Sequence, residues 1–203
     1  SLEGILWLKL KHKFTDMALL PCVCYLPPEN SSRQVDPHLF FDTLLADFYE
    51  YQKLGTVFIC GDFNSRCGDL EDFIVGVDHI PVRSVIDHKT NMYGDIFIDF
   101  LINVNMCMLN GRFQDQFNGF TSISTKGCSV VDYCIISHHD LNKFSNFKVI
   151  PTLELIDSVQ CLSSFATTGI PDHSLLRWEL YITTCDDGSD PILQTSKSYV
   201  KFD

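Results

Sequence analysis

The chain has no Cys-x-x-Cys pair among its nine cysteines, so it lacks the usual cysteine framework of a zinc site. No apolar run approaches the roughly 18 residues that a membrane-spanning helix needs. There is no internal repeat and no low-complexity segment. The N-terminus shows no basic-then-apolar order of a signal peptide, because Lys9, Lys11 and Lys13 alternate with apolar residues. Basic residues are also scarce. Fifteen Lys and Arg stand against 26 Asp and Glu, for a formal net charge of −11. That balance excludes a broad, sequence-independent nucleic-acid binder, which shows a basic surface. The closest cysteines are Cys22 and Cys24, which an extended strand would place on one face in poor disulfide geometry. The thiols therefore read as reduced and mostly buried, as in an intracellular protein.

What is present is ordinary globular composition. The chain has 203 residues, 45% hydrophobic and 20% charged, enough for one domain with a sizeable core. Residues 1–184 read as that domain, and 185–203 as a polar, acidic tail or linker. Ile5 to Lys11 alternates apolar and polar like a strand. Met17 to Tyr25 is a buried strand stopped by Pro27 and Pro28, and the two can form a hairpin across His12 to Asp16. Asp36 caps a helix with Pro37 at its first position, running to about Lys53. Phe40, Phe41, Leu44, Leu45, Phe48 and Tyr51 give that helix its apolar face. Thr56 to Cys60 reads as a strand, Tyr93 to Val104 as a helix, and Met108-Leu109 as a short strand. Ser129 to Ser137 reads as one strand, followed by strands at Phe144 to Ile150 and Leu175 to Ile182. This order predicts an α+β sandwich.

Three segments can carry chemistry. The strand ending at Cys60 runs into Gly61-Asp62-Phe63-Asn64, where Asp62 and Asn64 share a face and Phe63 points into the core. A carboxylate beside a carboxamide can orient a water and hold a phosphate oxygen, although Gly, Asp and Asn are also turn residues. Asp132 is a lone carboxylate in an apolar strand, costly to bury without a partner. A histidine is a natural partner, since a carboxylate fixes its tautomer. Pro171-Asp172-His173-Ser174 supplies an acid beside an imidazole. His12, His38, His79, His88, His138 and His139 read as surface or loop residues, and Asp69, Glu71 and Asp72 as a solvated acidic loop.

Taken in order, Tyr25-Leu26-Pro27-Pro28, Gly61-Asp62-Phe63-Asn64, Asp132-Tyr133 and Asp172-His173 resemble the endonuclease/exonuclease/phosphatase superfamily. Asn64-Ser65-Arg66 and Leu109-Asn110-Gly111-Arg112 are similar to the endonuclease domains of non-LTR retrotransposons. The resemblance runs from about Glu3 to Ile182. It implies a four-layer α/β/β/α sandwich that hydrolyses phosphodiesters or phosphomonoesters with Mg²⁺ or Mn²⁺. It implies that Asp62 activates the attacking water, that Asn64 and Tyr25 hold the phosphate, and that His173 stabilises its developing charge. Asp132 would orient His173, Asp172 would sit at or near the metal, and Ser129 would line the same groove. DNA is the implied partner, weakly for so acidic a chain. A fused downstream reverse transcriptase and nuclear action are implied by the resemblance alone.

Two departures qualify this. Pro171 stands where the family usually has serine. No counterpart is seen of the family's first-strand asparagine or its metal-binding glutamate, and Glu3 fits a surface position. The expectation is therefore an N-terminally truncated domain with an incomplete metal site, a poor nuclease alone. A catalytically inactive remnant or interaction domain is the second reading, and an inositol or lipid phosphatase of the same fold the third.

Overall fold

The computed structural model describes residues 2–13, 17–113, 118–158 and 171–182. In chain order the elements are β1 (Ile5–Trp7), β2 (Leu10–Lys11), β3 (Ala18–Tyr25), α1 (Pro37–Tyr51), β4 (Thr56–Asp62), α2 (Met92–Val104) and β5 (Met106–Met108). There follow β6 (Ser122–Ser124), β7 (Gly127–Ser129), β8 (Asp132–Ser137), β9 (Phe144–Ile150), α3 (Thr152–Ser158) and β10 (Leu175–Leu180). The central sheet has the order β1-β3-β4-β8-β5, with β2 also on β3. β3 and β4 are parallel, which requires a crossover, and α1 provides it. β4 and β8 are antiparallel, as are β5 and β8.

The helices form where the sequence places their caps. The Asp36 side chain accepts from the His38 N–H at 3.0 Å, and Pro37 opens α1. Phe40, Phe41, Leu44 and Phe48 recur at helical spacing and are buried. Asn91 caps α2 by accepting from the Gly94 N–H. Both helices lie on one face of the central sheet and share a core with Ile59, Phe63 and Tyr133. Phe63 stacks on Phe97 at 4.5 Å, and Phe97 on Phe41 at 5.4 Å.

The opposite face carries a second, two-stranded sheet, β9 with β10. Phe144 of β9 and Trp178 of β10 both meet Phe58 of β4, with ring centroids 6.0 and 5.9 Å apart. Helices, central sheet and second sheet are thus successive layers of an α/β sandwich, and α3 directly follows β9. The second sheet covers the β4–β8 half of this face. On the other half, Leu6, Leu8 and Leu10 point outward, 57%, 44% and 54% exposed.

Several expectations are corrected. The segment from Ser129 to Ser137 is not one strand. It breaks at residues 130–131, so Asp132 begins β8 instead of lying within a strand. Val130 and Val131 donate to the side chains of Asp87 and Thr121 and not to a neighbouring strand. Ile5 to Lys11 divides into β1 and β2, the β5 strand lies at Met106–Met108, and α3 and the β6–β7 hairpin were not expected. Asp72 is fully buried, not solvated, because Arg112 pairs with it at 2.6 Å. The expected tail at 185–203 lies outside the described residues.

Candidate active site

Tyr25, Asp62 and Asp132 form a row across three adjacent strands. Tyr25 is the register partner of Asp62, and Asp62 of Asp132. Partners across a sheet present their side chains on one face. Here it is the face bearing the second sheet, since Cys60, two residues before Asp62, and Cys134, two residues after Asp132, lie in the core beneath that sheet. Gly61 makes the approach possible: its φ is +148°, and a Cβ there would stand 1.9 Å from the Cys24 carbonyl oxygen.

The two carboxylates are held close by the ladder. The Asp132 N–H donates to Thr121 Oγ1 at 3.0 Å, and its carbonyl accepts from Asn110 Nδ2 at 3.0 Å. Neither backbone group turns toward β4, so Asp62 and Asp132 form a non-hydrogen-bonded pair, the arrangement that brings opposed side chains nearest. Both side chains are mostly buried, 15% and 13% exposed. Burial, followed by the charge of Asp132, pushes the Asp62 carboxyl up to about 6.

His173 closes the group. Its Nδ1 lies 2.9 and 3.1 Å from the two Asp132 oxygens, and its Nε2 lies 4.0 Å from Asp62 Oδ2. The hydrogen bond to Asp132 holds the imidazole up at about 9, against the opposing effect of burial. Asp132 thus favours the protonated imidazole, with Nδ1–H directed at its carboxylate. The β6–β7 hairpin secures this segment: Ser174 N–H donates to the Thr121 carbonyl and Ile123 N–H to the Asp172 carbonyl, both at 2.7 Å.

Asn64 adopts a left-handed φ of 47°, which Asn tolerates better than most residues. Its N–H donates to Asp62 Oδ1 at 2.9 Å, and its Nδ2 to the Leu26 carbonyl at 2.8 Å and Asp62 Oδ2 at 3.1 Å. In this arrangement the amide orients Asp62. Asp172 is exposed, and its charge reaches His173. Tyr25 is 47% exposed at the rim. Ser129 ends β7, opposite Ser122.

Sequence reasoning missed Thr121. It is fully buried, and its hydroxyl accepts from both Val131 and Asp132 N–H at 2.9 and 3.0 Å. Only its place in a short polar stretch before a strand marks it in the sequence. Asp87 was missed as well. It joins Arg66, just past Asn64, to the Val130 N–H just ahead of Asp132.

Ligand atoms of Asp62, Asp132 and His173 all lie within 4.8 Å of one another, the one such group of metal-capable side chains among the described residues. Asp172 is not in it. A hard divalent cation prefers oxygen ligands, and Asp62 and Asp132 bring two mostly buried carboxylates together across the ladder. The carboxylates thus fit such a cation.

No family model matches the chain, and no curated protein matches it by sequence. Solved structures do match. The endonuclease domain of TRAS1, a telomere-specific non-LTR retrotransposon, superposes with a TM-score of 0.51 at 15% identity, over 87% of this chain and 61% of that one. The 3′ phosphatase NExo from Neisseria, bound to a product DNA hairpin, gives 0.54 at 12%, over 87% and 64%. An endonuclease/exonuclease/phosphatase family protein from Leptotrichia buccalis gives 0.51 at 12%, over 88% and 53%. At these identities the likeness shows the fold, which is that of the endonuclease/exonuclease/phosphatase proteins. The chain spans between about half and two thirds of the length of these structures.

Proposed function

We propose that this chain is a divalent-metal-dependent phosphodiesterase, acting on DNA as the endonuclease of a non-LTR retroelement. The observation that carries the reading is the Asp62–Asp132–His173 group, with Asn64 holding Asp62 at the rim. Asp62 and Asp132 would offer carboxylate oxygens to Mg²⁺ or Mn²⁺, with Asp172 at the edge. A cation held there would supply charge neutralisation for the phosphate. Asp62, oriented by Asn64, accepts a hydrogen bond from the attacking water. His173, held by Asp132, places its Nε2–H toward the phosphate and stabilises charge developing there. Tyr25 and Ser129 line the approach. An intracellular, nuclear setting and a fused reverse transcriptase accompany this reading.

One observation favours a second reading. A net charge of −11 suits a non-catalytic module of the same fold better than a DNA enzyme. A nicking assay separates the two. Supercoiled plasmid is incubated with the wild type, Asp62→Ala and His173→Ala in Mg²⁺, Mn²⁺ or EDTA. The proposal expects metal-dependent nicking, slow in keeping with the incomplete metal site, and lower again by up to about 10²–10³-fold in each variant, the usual scale for removing one electrostatic contact. Absence of nicking by the wild type, or nicking indifferent to both substitutions, sinks the proposal.

A further inference from the structure

Leu109-Asn110-Gly111-Arg112 takes no part in the chemistry described above, yet it ends β5 directly beside Asp132. The β5–β8 ladder runs from Met106↔Ser137 to Met108↔Ile135, and the Leu109 N–H adds a bond to the Cys134 carbonyl at 2.8 Å. There the chain turns away. Gly111 has φ +69°, and a Cβ would stand 2.3 Å from the Ser84 carbonyl oxygen. Arg112 anchors the turn, donating to both Asp72 oxygens at 2.6 Å and to the Met108 carbonyl at 3.0 Å.

β8 continues past this turn to Asp132. Asn110, 4% exposed, fills the place of the strand that has left. Its Nδ2 donates to the Asp132 carbonyl at 3.0 Å, and its Oδ1 accepts from the Cys134 N–H at 3.2 Å. A carboxamide carries the same donor and acceptor types as a peptide unit. The side chain thus stands in for one backbone link of the ladder, at the residue whose carboxylate holds His173.

We propose that Asn110 is a positioning residue for the site: through the Asp132 carbonyl it fixes where the Asp132 carboxylate, and with it His173, stands. This rests on the metal-site reading given above. Residues that orient ligands from behind cost about 10–100-fold in metal affinity when lost.

The test uses the full chain, with Mn²⁺ alone as the probe. Asn110→Leu, close in size, removes both hydrogen bonds. Asn110→Asp keeps the acceptor for Cys134 but loses the donor to Asp132. Asp132→Asn is the direct control. Mn²⁺ affinity is read by electron paramagnetic resonance, and amide exchange at residues 132–134 is read without metal. Both Asn110 variants should bind Mn²⁺ at least tenfold more weakly. The Asp variant is decisive in sign, because an added negative charge that merely lay nearby would tighten binding. Exchange at Cys134 should quicken at least tenfold in the Leu variant. Unchanged affinity in the Leu variant, tighter binding in the Asp variant, or unchanged exchange overturns the proposal. If the wild type binds no Mn²⁺, or Asp132→Asn leaves binding intact, the metal-site reading fails instead, and exchange alone decides the role of Asn110.

Discussion

Asp62→Asn should make the metal-free protein more stable while removing its proposed activity. In the folded chain the Asp62 carboxyl is raised from 3.8 to about 6 by burial and by Asp132. Each pH unit of such separation corresponds to about 1.4 kcal/mol. Ionised Asp62 therefore costs the fold about 3 kcal/mol at neutral pH. A neutral amide escapes that cost. It also loses one contact, because an amide offers a single oxygen where the carboxylate offers two. One of the two donors from Asn64 then faces an N–H group, at a cost of about 1 kcal/mol. The net gain should be about 2 kcal/mol, or about 4–8 °C in Tm for a domain of this size.

The sign with pH follows from the direction of the shift. A carboxyl raised on folding binds its proton more tightly in the native state, so wild-type stability falls as pH rises from 3.8 through about 6, then levels. The advantage of Asp62→Asn should vanish below pH 4 and be complete by pH 7. Urea denaturation in EDTA across pH 4 to 8 measures it. Mn²⁺ should then stabilise the wild type and not the variant, since a ligand of the native state adds stability only where it binds. An Asp62→Asn protein less stable than the wild type at pH 7.5 in EDTA would show that the carboxylate pair is not strained, and the electrostatic reasoning would fail.

Three further outcomes follow from the packing. Thr121→Val, nearly isosteric, strips the acceptor from two buried N–H groups and should cost about 2–4 kcal/mol in urea melts, with loss of nicking. Asp72→Asn leaves the fully buried Arg112 guanidinium without its counter-charge and should cost about 3–5 kcal/mol, measured the same way. Leu6→Lys alters an exposed side chain, so stability should hold within about 0.5 kcal/mol while binding of a hydrophobic dye declines.

What the sequence disclosed was local. Asp36-Pro37 and the recurrence of Phe40, Phe41, Leu44 and Phe48 set α1 by rules that operate within a turn or two. Gly61-Asp62-Phe63-Asn64 was legible in that Phe63 goes into the core, but Asn64 reaches Asp62 through a left-handed turn past the end of β4, not through the strand alternation the sequence suggested. What stayed hidden was set by partners far along the chain. Val130-Val131 looks like strand, but its amides are claimed by Asp87 and Thr121, 43 and 10 residues away. Asp72 sits among Asp69 and Glu71 in what reads as a solvated loop, and its burial depends on Arg112, 40 residues on. Asn110 stood out only as part of Leu109-Asn110-Gly111-Arg112, and its role was not legible, since that role exists only where β5 stops short of the end of β8.

The charge of the site and that of the chain bear on one another. Three carboxyl groups, Asp62, Asp132 and Asp172, face a single imidazole, His173. The nearest arginine past Asn64, Arg66, is engaged by Asp87. A phosphodiester approaching this rim meets net negative charge before it meets His173, in a protein that is itself at −11. Without a cation, electrostatics thus opposes the approach of such an anion. On the proposed reading a divalent cation must be held first, because it reverses the sign of the rim, and only then does His173 act with the field instead of against it. The ionisation of Asp62 that burial and Asp132 make costly is the one that a bound cation would offset.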